Sequence, residues 1–273
     1  MQILLTNDDG VDSPGLSALR EALITAGVTV TAVAPDGNRS ARGHAITCRE
    51  PLVLQRLSEP DDPNPVYSCS GMPADCARIG ILTTGLWPRP DVVVSGINIG
   101  VNLGDDLNYS GTFHAAVEAA LLGVPAVAFS QQPAVGGAPF MGHFVHEYEH
   151  SDYAARLVTA VGKSTVPDRA LLNVNLPRVA TPGKPPVLTR LGRRYISATI
   201  EPVRLDPRTW QLKPFATADF PEPRYDDAPG MDFGAVVAGR VSVSALKAPG
   251  FSDSQVSTWA RIVVDSAGPV VDQ

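Results

Sequence analysis

The chain has 273 residues, of which 44% are hydrophobic and 18% charged, with a formal net charge of -6. The apolar content supports a sizeable core and excludes a disordered chain, and the length suits one large α/β domain or one domain with an extension. The acidic balance argues against a nucleic-acid scaffold, which needs a basic face, but leaves room for a small phosphate ester if a metal ion supplies positive charge.

In chain order, "QILLTN" (2–7) predicts a short buried strand ending at a polar turn. "SPGLSALREALITAG" predicts a helix with Ser13 as N-cap, Pro14 in the first position and Gly27 as the stop. Leu16, Leu19, Leu23 and Ile24 supply its buried stripe. "VTVTAVAP" is the next strand, so the chain opens as β-α-β with a right-handed crossover. "PADCARIGILTTG" is a second helix, "PDVVVSGIN" a valine-dense central strand, "GTFHAAVEAALLG" a third helix and "VPAVAFS" a further strand. "SDYAARLVTAVGKS" is a fourth helix capped by Ser151 or Asp152, and "ALLNVNLP" closes a doubly wound, mostly parallel core at about residue 180. Residues 181–250 are richer in proline. Within them "RRYISATIEPVRL" and "RTWQLKPF" suggest an extended hairpin, and "AVVAGRVSVSAL" a late strand returning to the core. The tail from Phe251 has no assignable pattern, and no internal repeat is found.

Cys48, Cys69 and Cys76 form no CxxC pair and are odd in number, so they read as small buried residues in a reducing, cytoplasmic setting. The first residues lack a basic n-region and no apolar run is long enough for a bilayer, so neither a signal peptide nor a membrane span is expected.

Ligands of open α/β sheets bind at the carboxyl ends of the strands, and the polar clusters of this sequence collect there. Strand one delivers Asn7, Asp8 and Asp9; strand two "APDGNRSARGH" (34–44); the valine strand "SGINIGVN" (95–102), with Asn98 and Asn102. The adjacent acids, with amide and hydroxyl oxygens nearby, suit a hard cation, although "NDDG" is also good turn chemistry and Asp12 reads as a turn or cap residue. "YSGT" (109–112) opens a helix. Its N–H groups with the Ser110 and Thr112 hydroxyls would hold a phosphate or serve as an ordinary cap. His44 follows the Ser40 loop within reach of the site, and His114 in the first turn either touches a phosphate or packs outward. His143, His146 and His150 would share a face if helical, which raises zinc, but the stretch reads better as a solvated lead into the fourth helix.

Taken together and in this order, "LLTNDDGVDSPGLSALREAL", "NRSARGHAIT", "GMPADCARIGI", "DVVVSGINIGVNLG", "YSGTFHAAVEAALLGVPAVAFS" and "LLNVNLP" resemble the SurE family, metal-dependent nucleotidases and phosphatases. The resemblance is close over about residues 1–180 and loose beyond. It implies one SurE-like domain over 1–273, with a Rossmann-like core to about 180 and a hairpin extension and oligomerisation tail over 181–273. It implies one divalent cation per subunit (Mg²⁺, Mn²⁺ or Ca²⁺) held by Asp8, Asp9, Ser40 and Asn98, and a substrate phosphate bordered by Asn102, Ser110, Gly111 and Thr112. Asp8 or Asp9 would orient the attacking water or take its proton. Nucleoside monophosphates and other phosphate esters are the implied substrates, and homodimers or homotetramers built through C-terminal segments the implied assembly. Three positions depart from the family pattern: Met72 in place of Thr, His114 in place of a small residue, and "SVSAL" (242–246) in place of "SVTPL". Two other readings stand beside it. A calcium-dependent nucleoside hydrolase also opens with an acid-rich turn, but spreads its acids as DTDPGxDD and leaves "SGINIGVN" unexplained. A non-catalytic nucleotide-binding relative would keep the fold without the chemistry.

Overall fold

The computed structural model describes residues 1–133, 148, 150–181, 183–195, 200–212, 224–248 and 254–269. The core strands are β1 (Gln2–Thr6), β2 (Thr29–Pro35), β3 (Leu54–Arg56), β4 (Val66–Cys69), β5 (Val92–Ile99), β6 (Ala126–Gln131), β7 (Ala170–Leu176) and β8 (Val187–Thr189). Beyond them come β9 (Arg194–Tyr195), β10 (Val203–Asp206), β11 (Thr209–Gln211), β12 (Arg224–Tyr225) and β13 (Ser242–Lys247). The helices are α1 (Pro14–Thr25), α2 (Pro73–Leu82), α3 (Gly111–Leu121), α4 (Ser151–Gly162), α5 (Asp232–Val237) and α6 (Ser254–Ala267), with a 3₁₀ turn over Gly104–Tyr109.

Nine strands form one sheet in the order β3-β4-β2-β1-β5-β6-β7-β13-β8. The six from β4 to β7 are parallel, while β3 and β13 run antiparallel to β4 and β7. The central strands are buried on both faces, which is why they read as unbroken runs of Val, Leu and Ala rather than as alternation. One apolar layer joins α1, α4 and α6 to the sheet, and α2 and α3 cover the other face. From the adjacent pair β1 and β5 the chain winds outward in opposite directions, through β2 and β4 on one side and β6 and β7 on the other. That reversal opens a crevice at the carboxyl ends of β1 and β5.

The first helix forms as its sequence predicts: the Ser13 side chain accepts from Leu16 N–H, Pro14 stands in the first turn and Gly27 follows the C-cap. Elsewhere the structure corrects the reading. The cap of α4 is His150, not Ser151 or Asp152, and it makes no side-chain cap bond. The stretch "AVVAGRVSVSAL" divides: Ala235 and Val236 are buried on the short α5, Val237 is 78% exposed beside them, and only Ser242–Lys247 forms the strand. The hairpin is β10 with β11, whereas Arg194–Tyr195 pairs with β12 instead. Part of the tail is helical, since α6 packs its Val256, Trp259, Ala260 and Val263 into the core. Cys48 is exposed; Cys69 and Cys76 are buried, and all three are free thiols. His143 and His146 lie outside the described residues.

Candidate active site

The turn after β1 is built by Asn7, whose Nδ2 donates to the Gly10 carbonyl at 2.9 Å and to Ser13 Oγ at 2.7 Å. Its Oδ1 accepts from Gly10 N–H at 3.2 Å. With the turn locked on itself, the next two side chains are held toward neighbouring elements. Asp8, 3% exposed, reaches the N-terminus of α3. There Thr112 Oγ1 donates to Asp8 Oδ1 at 2.5 Å, and the Gly111 and Thr112 N–H groups donate to the same carboxylate. Negative charge is favoured at that end of a helix. Gly111 is required by the approach, because a Cβ there would sit 2.8 Å from Asp8 Cβ and 2.9 Å from Oδ2. Asp9 Oδ2 accepts from Ile99 N–H at 3.0 Å, so the pair bridges the crevice between β1 and β5.

Asn98 comes to the same edge through an irregularity. Between Ser95 and Asn98 the β5–β6 register shifts, and Gly96 takes φ +134°, where a Cβ would strike the Phe129 carbonyl oxygen at 2.3 Å. A break of this kind re-aims the following side chain. Asn98 Nδ2 donates to the carbonyls of Ile99 (3.2 Å) and Gly100 (2.9 Å), which leaves Oδ1 as an acceptor. The Ser40 loop is tethered beside Asp8: Arg39 N–H donates to the Asp8 carbonyl at 2.7 Å, and Ser40 N–H to Asn38 Oδ1 at 2.9 Å.

Electrostatically the acids are uncompensated. Among the described residues neither Asp8 nor Asp9 pairs with a basic side chain. Burial pushes the Asp8 carboxyl up against its hydrogen bonds, and burial followed by the Asp8 charge pushes Asp9 up to about 7. A cation between them would remove that cost, so two carboxylates, an amide oxygen and a hydroxyl fit a hard divalent ion. Among the described residues no group of three or more His, Cys, Asp or Glu side chains suits a metal, so neutral oxygens must complete any such set.

Other expected residues are placed differently from one another. Of the N–H groups that open α3, Phe113 donates to Ser110 Oγ at 3.0 Å and His114 to the Ser110 carbonyl at 3.2 Å, while those of Gly111 and Thr112 lie against the Asp8 carboxylate and favour its charge. The Asp8 carboxylate thus stands at this helix end beside Ser110 and Thr112. Asn102 is fixed to the scaffold, with Nδ2 donating to Ser130 Oγ at 2.7 Å and its carbonyl accepting from Asn173 (3.0 Å) and Asn175 (2.9 Å). His44 and His114 meet as a stacked pair with centroids 5.0 Å apart and planes at 28°.

The family model described as "Survival protein SurE" matches residues 3–198. The chain belongs to the SurE family. A 5'-nucleotidase SurE of Geotalea daltonii is 40% identical over 247 residues, covering 90% of this chain and 92% of the relative. Those of Geobacter sulfurreducens and Deinococcus radiodurans are 42% and 40% identical, each covering 90% of this chain and 87% of the relative. The crystal structure of the SurE protein from Aquifex aeolicus superposes with a TM-score of 0.67 at 34% identity, covering 90% of this chain and 93% of that one.

Two residues of this SurE chain escaped the sequence reading. Glu118, buried on α3, receives His44 Nε2 at 3.0 Å and Arg78 at 2.7 Å. Its signal was available, because a lone acid inside "AAVEAALL" has no reason to be there without a partner. Tyr148 directs its hydroxyl at the start of α1, 3.0 Å from where a Cβ on Gly15 would lie; burial, then the Asp9 charge, raises its phenol. No local pattern marks it.

Proposed function

We propose that this SurE chain is a divalent-metal-dependent phosphomonoesterase converting nucleoside monophosphates to nucleoside and phosphate, with acceptance of other small phosphate esters. The observation that carries the reading is the buried Asp8–Asp9 pair, uncompensated by any basic side chain among the described residues, at the switch point of the sheet. The relatives named 5'-nucleotidases support the substrate class. Asp8, Asp9, Asn98 Oδ1 and the Ser40 hydroxyl would hold one cation, Mg²⁺ or Mn²⁺. When bound, it supplies charge stabilisation at a phosphoryl oxygen and a more acidic water.

The chain's own residues divide the remaining work. Asp8 is immobilised by Thr112 and the start of α3, so it serves as a fixed anionic ligand. Asp9 commits one oxygen to Ile99 N–H and keeps the other as acceptor, which suits it to orient the attacking water and receive its proton. Ser110, Gly111 and Thr112 orient Asp8 and, with Asn102 fixed against β6 and β7, border the phosphate.

Assembly into homodimers or homotetramers belongs to the same reading, supported by the β10–β11 hairpin, which holds Val203, Leu205 and Trp210 out to solvent. A reducing cytoplasm fits the free thiols; no described helix is long and apolar enough to cross a membrane. The test is phosphate release from a panel of nucleoside monophosphates by protein stripped of metal and then given Mg²⁺ or Mn²⁺. Recovery of free phosphate is expected. Release of free base instead, or calorimetric binding with no turnover on any metal, would refute the reading.

A further inference from the structure

The loops that carry Ser40 and Ser110–Thr112 also carry, four residues after Ser40 and two after Thr112, the stacked pair His44 and His114. The loops are joined at this point, since Gly43 N–H donates to the Tyr109 carbonyl at 3.0 Å. Each imidazole is anchored through one nitrogen. His44 Nε2 lies 3.0 Å from the Glu118 carboxylate, itself held by Arg78, so that nitrogen bears a proton, and in the neutral ring Nδ1 is the acceptor. His114 Nδ1 lies 2.8 Å from the Ser110 carbonyl, an acceptor only, so Nδ1 bears the proton and Nε2 is the acceptor. Burial holds His114 toward its neutral form. Neither ring is enclosed; the His44 side chain is 31% exposed. No described group of the chain bonds to His44 Nδ1 or His114 Nε2. The cluster is not a metal centre on the geometry of the described residues.

We propose that His44 and His114 form the leaving-group subsite of this enzyme, two fixed acceptors that read hydrogen-bond donors on the nucleoside and so favour nucleotides over phosphate esters of simple alcohols and phenols. The inference rests on the phosphomonoesterase reading and adds to it the residues that choose among esters. The donors come from the sugar hydroxyls or from an exocyclic base amine, and the two sources are separable.

The experiment measures kcat/KM with Mn²⁺ for adenosine 5'-monophosphate, its 2'-deoxy analogue, the analogue without the base amine, and p-nitrophenyl phosphate. The proteins are wild type, His44→Ala, His114→Val and His114→Gln, and Mn²⁺ affinity is measured for each by electron paramagnetic resonance. Wild type should prefer the nucleotide. Both truncations should cut the nucleotide to p-nitrophenyl phosphate ratio about three- to ten-fold each, mainly through KM, the range expected for one lost hydrogen bond. His114→Gln should retain most of the ratio, and Mn²⁺ affinity should hold throughout. The truncated proteins should also cease to distinguish whichever analogue lacks the donor being read. An unchanged ratio in both truncations would overturn the subsite while leaving the activity intact. So would a parallel fall on both esters with loss of Mn²⁺ affinity, which would mark the pair as a prop for the loop. Absence of phosphate release from every ester by wild type would overturn the activity itself, and the subsite with it.

Discussion

Replacing Asp9 with Asn should stabilise the metal-free protein while removing its activity. In the metal-free fold the Asp9 carboxyl is raised from 3.8 to about 7, first by burial and then by the Asp8 charge. A group raised in this way holds its proton more tightly in the fold than in the unfolded chain. Its contribution to stability is full below pH 3.8 and is lost as the pH climbs through about 7. The whole shift corresponds to roughly 4 kcal/mol, and partial exposure of the side chain brings the expected value to about 2–4 kcal/mol at pH 8. Asn is neutral at every pH, and its Oδ1 can still accept from Ile99 N–H. Urea unfolding in EDTA at pH 5 and pH 8 is the assay. Wild type should lose about 2–3 kcal/mol between the two, and Asp9→Asn clearly less, because only Asp8 remains to titrate. Adding Mn²⁺ at pH 8 should restore wild type and leave the variant unmoved. A variant no more stable than wild type at pH 8 in EDTA would refute the claim that the pair is uncompensated.

Further outcomes follow from the same geometry. Mn²⁺ affinity should weaken by up to about ten-fold per pH unit below 7, because the proton on Asp9 competes with the ion; titration calorimetry in buffers of different ionisation enthalpy should show proton release on binding. Thr112→Val removes the hydroxyl donor to a buried carboxylate and should cost about 1.5–3 kcal/mol in urea melts of the Mn²⁺-loaded protein, with weaker Mn²⁺ binding. Gly111→Ala places a Cβ 2.8 Å from Asp8 Cβ, and activity should fall on the order of 100-fold with far-UV circular dichroism unchanged. Asp232→Ala strands the N–H groups of Gly104 and Gly192, now bound at 2.7 and 2.8 Å, and should lower the unfolding free energy in urea by about 2–4 kcal/mol.

The core was legible because its signals are local. Ser13, Pro14 and Gly27 punctuate α1, and the valine run of β5 can only be a strand buried on both faces. Asp8, Asp9 and Asn98 could be grouped from sequence because strand ends share one edge of a parallel sheet. What the sequence did not disclose is who holds whom. That Asp8 takes the N-terminus of α3, and His44 the carboxylate of Glu118, are pairings 104 and 74 residues apart, decided by tertiary packing alone. The short α5 was hidden for another reason, since six residues carry less than two full turns of helical period.

The tethering of the Ser40 loop bears on how this chain can change over descent. Arg39 is tied to the Asp8 carbonyl, Gly43 to Tyr109, and Thr47 to Asp75 through its N–H and hydroxyl. Three knots within nine residues fix the count of residues between them more strictly than their identity. Surface loops ordinarily absorb insertions and deletions, but one residue gained or lost between Arg39 and Thr47 would carry Ser40 or His44 off its station. Length should therefore be inherited here where side chains are free to drift, as at Arg42 and Ala45, and new sequence should enter the fold at the far hairpin instead.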